Sequence, residues 1–197
     1  MALGFTKAGG DGDFSPVFKF NAISGDAVIA SSVKSASGEW EKVENDVSFP
    51  AKFIFDFANI EVGWMHFSSS GPSFAMVKIG DVLPARPSPD HKQGFRIKLY
   101  NKEHGVAVFS NSSKTIAEVM DVLHDSYLRD EKAHTGKVPV VEIKGTKKVS
   151  VKTKEGAKNY KQPEWAIVGW VVRPEAMTKA PIAEAPKVAE ALSDEDF

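Results

Sequence analysis

Basic and aromatic side chains alternate with apolar ones along several short segments of the sequence. In "FRIKLY", Arg96, Lys98 and Tyr100 have one parity and the apolar residues have the other. Because successive side chains of a β-strand point to opposite faces, this pattern predicts a strand with one apolar face and one cationic, aromatic face. Two later segments, "VVEIK" and "KKVSVKT", show the same alternation, and their polar sides carry Lys144, Lys148 and Lys152.

A second concentration of such residues lies in the segment "KTKEGAKNYKQPEW", which we expect to be a loop. Its basic and aromatic side chains are those of Lys152, Lys154, Lys158, Tyr160, Lys161 and Trp165. Lysine and arginine release counterions from phosphates, and aromatic rings stack on unpaired bases with about 1–3 kcal/mol per base. The combination predicts binding to a single-stranded nucleic acid. The alternative is a set of solvated strand faces on which lysines protect an open sheet edge.

Trp64, in the segment "EVGWMHF", is a further candidate for nucleic-acid binding. Trp64 and His66 share one face of the expected strand, and Met65 and Phe67 share the other. Either pair fits the core, so the alternation leaves both assignments open. Trp170 in "IVGWVV" has apolar neighbours on both faces, which is typical of a buried strand.

No part of the sequence has the spacing of a catalytic or metal-binding motif. The 5 His residues show no paired metal-ligand spacing, and there is no Cys to supply a thiolate or a disulfide. A nucleophile elbow, a phosphate-binding loop and a dinucleotide fingerprint are all missing. The cluster "GGDGD" near the N-terminus lacks the spaced carboxylates of a calcium loop. We therefore expect no enzymatic activity, no metal and no cofactor.

The order of strand and helix patterns favours a barrel. Strand-like segments run from "FSPVFKF" to "GVAVFS", and Phe53, Phe55 and Phe57 are expected in the core. One amphipathic helix follows in "SSKTIAEVMDVLHDSYLRD", and further strands follow the helix. This order predicts a mainly β fold, an OB-fold-like antiparallel barrel with one amphipathic helix between its strands. A β-sandwich with one helix is the alternative.

The chain divides into three expected parts: a flexible N-terminal arm at residues 1–13, an OB-fold nucleic-acid-binding domain at residues 14–174, and a disordered acidic tail at residues 175–197. Prolines interrupt the tail, although a packed C-terminal helix is the alternative. From Pro174 onward there are 6 acids and 2 bases, so the rest has 23 bases against 20 acids, although the whole chain has a net charge of −1. A mildly basic body is therefore joined to an acidic end, and the two attract each other.

The tail ends in a short acidic peptide with a terminal aromatic residue. Its residues are Asp194, Glu195, Asp196 and Phe197. Such a peptide fits a basic pocket beside an apolar hole on a partner protein. We therefore expect these four residues to bind a partner.

Three stretches carry a resemblance to a known family. They are the tail "SDEDF", the segment "PEWAIVGWVVRPE", and the strand–helix–strand order from residue 95 to residue 151. In these features the sequence resembles bacteriophage single-stranded-DNA-binding proteins with an OB fold, although individual residues match only in the last third of the chain. The resemblance implies binding of single-stranded DNA with little sequence preference during phage DNA replication, recombination and repair. It also implies that no cofactor is needed and that the tail recruits a polymerase, helicase or primase. Weak self-association on DNA is a further expectation.

Other observations concern location and rival functions. No apolar run reaches the roughly 20 residues of a membrane helix, and the N-terminus lacks a signal-peptide pattern, so we expect no membrane association. The resemblance implies the cytoplasm of a bacterial host as the location. A β-rich virion or scaffold protein is the main rival, and it would ignore an unpaired oligonucleotide. An inhibitor that mimics nucleic acid would need an acidic body, whereas this body is basic.

Overall fold

The computed structural model describes residues 15–69, 71–153 and 156–179. These residues form a mainly β fold with one long helix and one short helix. The strands are β1 Val17–Phe20, β2 Ala27–Lys34, β3 Trp40–Val47, β4 Ala51–Phe55, β5 Glu61–Ser68, β6 Gly71–Lys78, β7 Lys92–Asn101, β8 Gly105–Asn111, β9 Lys137–Thr153 and β10 Gly156–Val172. The helices are α1 Lys114–Asp130 and α2 Glu175–Lys179, and two 3-10 turns lie at Phe57–Asn59 and Glu131–His134.

The ten strands form one open mixed sheet. Its main path has the order β10-β9-β4-β7-β8-β1-β2-β3, and β5 branches from the first half of β7 and pairs with β6. The β1–β8 pair is parallel, and the other pairs are antiparallel. The segment expected to be a loop around Tyr160 is instead part of β10, because it pairs residue by residue with β9. β3 was not expected as a strand, since its charged sequence lacks an apolar face.

Phenylalanine rings fill the core, as the parity of the "FIFDF" segment predicts. Phe53, Phe55 and Phe57 are at most 1% exposed, although Phe57 belongs to the 3-10 turn and not to β4. Phe18 packs edge-on against Phe53 and Phe109, with ring centroids 5.5 and 5.1 Å apart. Edge-to-face packing matches the positive edge of one ring to the negative face of another, which favours a close-packed aromatic core.

The helix α1 covers β10 and uses the face that its spacing predicts. Ile116, Met120, Leu123 and Tyr127 are buried. At the start of the helix, the buried Gln162 amide of β10 donates a hydrogen bond to the Thr115 carbonyl oxygen at 2.7 Å. Near its end, the Tyr127 ring stacks on the Trp170 ring of β10, with centroids 5.8 Å apart. Helix and strand are therefore joined at both ends, and Trp170 packs there as the sequence indicates.

The sheet curls until its β10 end meets the turn after β1. The Lys161 amide of β10 donates a hydrogen bond to the Ala22 carbonyl oxygen at 2.6 Å. In the same turn Gly25 has φ +85°, and a Cβ atom there would lie 3.1 Å from the Lys161 side chain. Glycine satisfies both conditions, since it accepts a positive φ and leaves room for the lysine.

The chain remains folded beyond the boundary expected at residue 174. Residues 175–179 form α2, whose Met177 is only 2% exposed and which packs against β8. Just before it, the Arg173 guanidinium binds both oxygens of the buried Asp56 carboxylate, at 2.5 and 2.7 Å. Residues 175–179, at the start of the expected tail, are therefore helical, and Met177 and this ion pair attach residues 173–179 to the sheet.

Candidate nucleic-acid interface

The β9–β10 hairpin carries most of the lysines that the sequence singles out. Each strand has 17 residues, and the pairing continues to Thr153 opposite Gly156. The register shifts once at Lys144, which has no partner on β10, and once near Val168. A bulge adds one residue to one strand and changes the local bend and twist. The side chains beyond Lys144 therefore cannot be assigned to faces by simple alternation along β9.

Cross-strand partners divide the outer part of this hairpin into two faces, because directly opposite residues share a face. On the first, Lys148 lies opposite Lys161, and Lys152 lies four residues further along β9, opposite Ala157. We call these three residues the lysine face. On the second, which we call the tyrosine face, Tyr160 lies opposite Val149, and Lys158 lies opposite Val151. Tyr160 therefore does not share a face with Lys148 and Lys152, although the sequence groups all of them in one interface.

The lysine face has an unbalanced positive charge. Among the described residues, no carboxylate lies within 4.0 Å of the amino group of Lys148, Lys152 or Lys161. Like charges directly opposite each other across two strands are destabilising, so the Lys148–Lys161 pair lowers the stability of the hairpin. An external polyanion would remove this repulsion.

The second cationic and aromatic surface lies on β7, on the side away from the core. Lys98 and Tyr100 are half-buried there, whereas Ile97 and Leu99 are fully buried on the other side. Burial lowers the pKa of Lys98, and the nearby Asp56 carboxylate opposes this effect. Tyr100 lies opposite Ile54 of β4 and Val106 of β8. We call the side of the sheet that carries Lys98 and Tyr100 the outer face.

Arg96 shares the outer face, but its charge is used within the protein. It is 7% exposed, and its Nε atom donates a hydrogen bond to a Glu61 carboxylate oxygen at 2.6 Å. Its guanidinium also lies over the Phe74 ring, 5.3 Å from the centroid. A phosphate could reach this group only by displacing Glu61. The structure therefore gives Arg96 a role in holding β5 against β7.

Two of the candidate tryptophans are partly covered by other parts of the protein. Trp165 packs against the core, with its ring 6.0 Å from both Phe55 and Phe109. Trp64 is covered by the loop between β6 and β7: its indole N–H donates to the Pro84 carbonyl oxygen at 2.9 Å, and Arg86 lies over its ring. The alternation could not decide this, because the covering loop comes from a later part of the chain.

An aromatic pair that the sequence did not assign to the interface lies on the outer face. Phe67 of β5 is 54% exposed, and its ring packs edge-on against Phe74 of β6, with centroids 5.8 Å apart. Phe74 lies opposite Met65, which has the parity of Glu61, and Glu61 lies opposite Arg96. The pair therefore shares a face with Tyr100. In the sequence, the parity of Met65 and Phe67 already placed them on the face opposite Trp64. It did not show which of the two faces is the core.

The C-terminal segment begins beside this outer face. Asp56 and Arg173 both act electrostatically on the Lys98 ammonium, and the Asp56 amide donates to the Lys98 carbonyl oxygen at 3.0 Å. α2 then packs against β8, the neighbour of β7. The remaining candidates, Lys154 and the four tail residues from Asp194 to Phe197, lie outside the described residues. Lys144 is exposed at the hairpin bulge.

The described residues contain no group of three or more His, Asp or Glu side chains placed to hold a metal ion. Within the same residues, no helix combines the length and apolar character needed to cross a membrane. Comparison with known proteins finds no family model, no curated protein and no solved structure that matches this chain. The function must therefore be argued from the geometry of the two cationic surfaces.

Proposed function

We propose that this protein binds single-stranded DNA with little sequence preference. The observation that carries the proposal is the lysine face, where Lys148, Lys152 and Lys161 stand together without a described carboxylate partner. Three such cations at the end of a long hairpin suit a flexible line of phosphates. Electrostatic contacts to phosphates carry no sequence information, which accounts for the broad preference.

The exposed Phe67 ring and the half-buried Tyr100 ring on the outer face support binding of single-stranded over duplex DNA. Bases stacked within a duplex have no free ring face, whereas unpaired bases can stack on side chains such as Phe67 and Tyr100. Stacking tolerates every base, so it adds affinity without adding sequence readout. Lys98 between them supplies a cation for the backbone.

The pairing of five strands supports an OB-type barrel within the larger sheet. β4 pairs with β7 and β9, β7 pairs with β8, and β9 pairs with β10, while α1 connects β8 to β9. A helix between the third and fourth strands of a five-stranded Greek-key barrel is the OB arrangement. Together with the resemblance of the last third of the chain, this supports a role in phage DNA replication, recombination and repair.

The position of α2 supports a role for the acidic tail. Because the chain is attached beside Lys98 through Arg173, the residues that follow start close to the outer face. A tethered polyanion has a high effective concentration at a nearby cationic surface. In this proposal the tail occupies the outer face when no DNA is bound, and DNA displaces the tail. The released residues Asp194–Phe197 then bind a polymerase, helicase or primase.

A fluorescence titration tests the proposed DNA binding. A labelled oligo-dT and a duplex of equal length are titrated with the full chain at two salt concentrations. We expect tight binding of the oligo-dT at low salt, weaker binding at high salt, and a clear preference for the single strand. Failure to bind oligo-dT at low salt would refute the proposal and leave the scaffold function as the better explanation.

A second experiment tests the tail. A chain ending at Lys179 keeps Met177 and the Arg173 ion pair, so the folded part is preserved. We expect it to bind oligo-dT more tightly than the full chain, because its competitor is gone. Phe197→Ala in the full chain should leave DNA affinity unchanged and weaken capture of a replication partner. Weaker DNA binding by the truncated chain would contradict the competition.

A further inference from the structure

The short helix α2 covers part of the outer face of the sheet. It packs against β8, which lies between β7 and β1 in the strand order. The core-facing residues of β8, Ala107 and Phe109, belong to the buried core. Because β8 has a strand on each side and the core behind it, only its outer face is open to α2. The helix therefore lies on the same side of the sheet as Lys98 and Tyr100.

An apolar row crosses the outer face next to Lys98. Val108 of β8 lies opposite Lys98 of β7 and opposite Val17 of β1. Val17 in turn lies opposite Ala30 of β2, and directly opposite residues share a face. Val108 and Ala30 are 9% and 7% exposed, and Met177 of α2 is 2% exposed, although none of the three belongs to the main core cluster. The burial of Met177 therefore takes place on the outer face.

The packing of α2 depends on one buried side chain. The helix has 5 residues, and among its described side chains only that of Met177 is buried. A helix of this length is not stable by itself in water, so it is helical only while it is packed. The Arg173–Asp56 ion pair precedes α2 in the chain and attaches the chain to the sheet independently of Met177. The helix can therefore leave the sheet while this ion pair remains.

We propose that α2 is a lid on the outer face and that single-stranded DNA displaces it. This inference rests on the proposed function and concerns the regulation of the same surface. A strand of DNA bound at Lys98 and Tyr100 extends over β8 only after α2 has left. A ligand binds more weakly when fewer molecules are in the binding-competent state, so the closed lid lowers the affinity for DNA. The contact of α2 is apolar, whereas the attraction of the acidic tail is electrostatic and is screened by salt.

Thiol labelling tests the displacement. The chain has no Cys, so Met177→Cys in the full chain provides a unique thiol. Its reaction with a maleimide should be slow without DNA, and saturating oligo-dT should accelerate the reaction about tenfold, because the thiol becomes exposed when the helix leaves. Val122→Cys on α1, where Val122 is 68% exposed, should react equally fast with and without oligo-dT. Anisotropy of the same samples measures DNA binding: no binding would refute the proposed function, whereas bound oligo-dT without faster labelling would refute the lid.

Removal of the buried side chain tests the effect of the lid on affinity. Met177→Ser in the full chain should tighten oligo-dT binding about tenfold, because it weakens the closed state and leaves Lys98 and Tyr100 in place. The gain should persist at high salt, which distinguishes it from removal of the acidic tail. Ala176→Ser, at an exposed position of the same helix, should leave the affinity unchanged. Unchanged or weaker binding by a folded Met177→Ser chain would overturn the proposal and make α2 a fixed part of the outer face.

Discussion

Neutralising the lysine face should reduce both the affinity for single-stranded DNA and its dependence on salt. The change is the triple variant Lys148→Gln, Lys152→Gln and Lys161→Gln. Each phosphate contact to a single strand contributes about 0.7 to the slope of log K against log salt, so three contacts contribute about 2. At a salt concentration tenfold below the point where the two proteins converge, the variant should therefore bind about 100-fold more weakly than the parent protein. This difference is roughly 2.8 kcal/mol of binding free energy. At high salt the variant and the parent protein should converge.

The assay is fluorescence anisotropy of a labelled oligo-dT at several salt concentrations from about 0.05 to about 0.5 M. The matched control is Lys102→Gln, Lys132→Gln and Lys137→Gln, which removes the same charge from exposed positions outside the β9–β10 hairpin's outer part. The control separates direct contact from the field of the whole protein, which acts at a distance and is screened. If the lysine-face variant kept the parent slope, or if the control lost as much, the hairpin would not be the phosphate-binding surface.

Three further predictions test other parts of the structure. Tyr100→Ala and Phe67→Ala should each cost about 1–3 kcal/mol of oligo-dT affinity that persists at high salt, since stacking is not screened; anisotropy at high salt measures this loss. Arg173→Met should lower the free energy of unfolding in urea by about 2–3 kcal/mol, because it leaves a buried carboxylate unpaired, whereas Lys19→Met at an exposed pair should cost less than about 1 kcal/mol. Burial raises the pKa of Tyr127 to about 12 from 10.0, so stability should fall as the pH rises through this range, where the unfolded chain loses its proton first. Tyr127→Phe should flatten that fall in urea unfolding measured against pH.

The strand alternation predicted several of the strands and the row of phenylalanines in the core. Phe53 and Phe55 were predicted to lie in the core, and both are buried. The prediction succeeds because a period-two pattern depends only on local backbone geometry. The helix α1 was equally accessible to sequence reasoning, since its apolar spacing is local. The same reasoning misplaced the segment around Tyr160 in a loop, because its polar sequence shows no sign of its long partner strand β9.

The composition of the candidate interface was also visible in the sequence, but its arrangement was not. Lys148 and Lys152 are neighbours by alternation, whereas their partner Lys161 comes from the facing strand through a register that the bulge at Lys144 sets. The sequence indicated that Arg96 is a free cation, whereas in the structure Glu61, 35 residues away in the chain, binds it. Side chains that lie far apart in sequence become neighbours only through strand pairing, which local patterns do not encode.

By itself, the sequence determined that the protein is mainly β, that its body is basic and its end acidic, and which side chains are candidates for contact with phosphates and bases. Only the tertiary structure decided which of them remain available. It packed the partly buried Trp165 against the core, placed a loop over Trp64, exposed Phe67, and attached the C-terminal segment to the sheet through Arg173 and Asp56, 117 residues apart. The physical reason is that availability depends on which distant groups cover or neutralise a side chain, and that is a property of the folded chain.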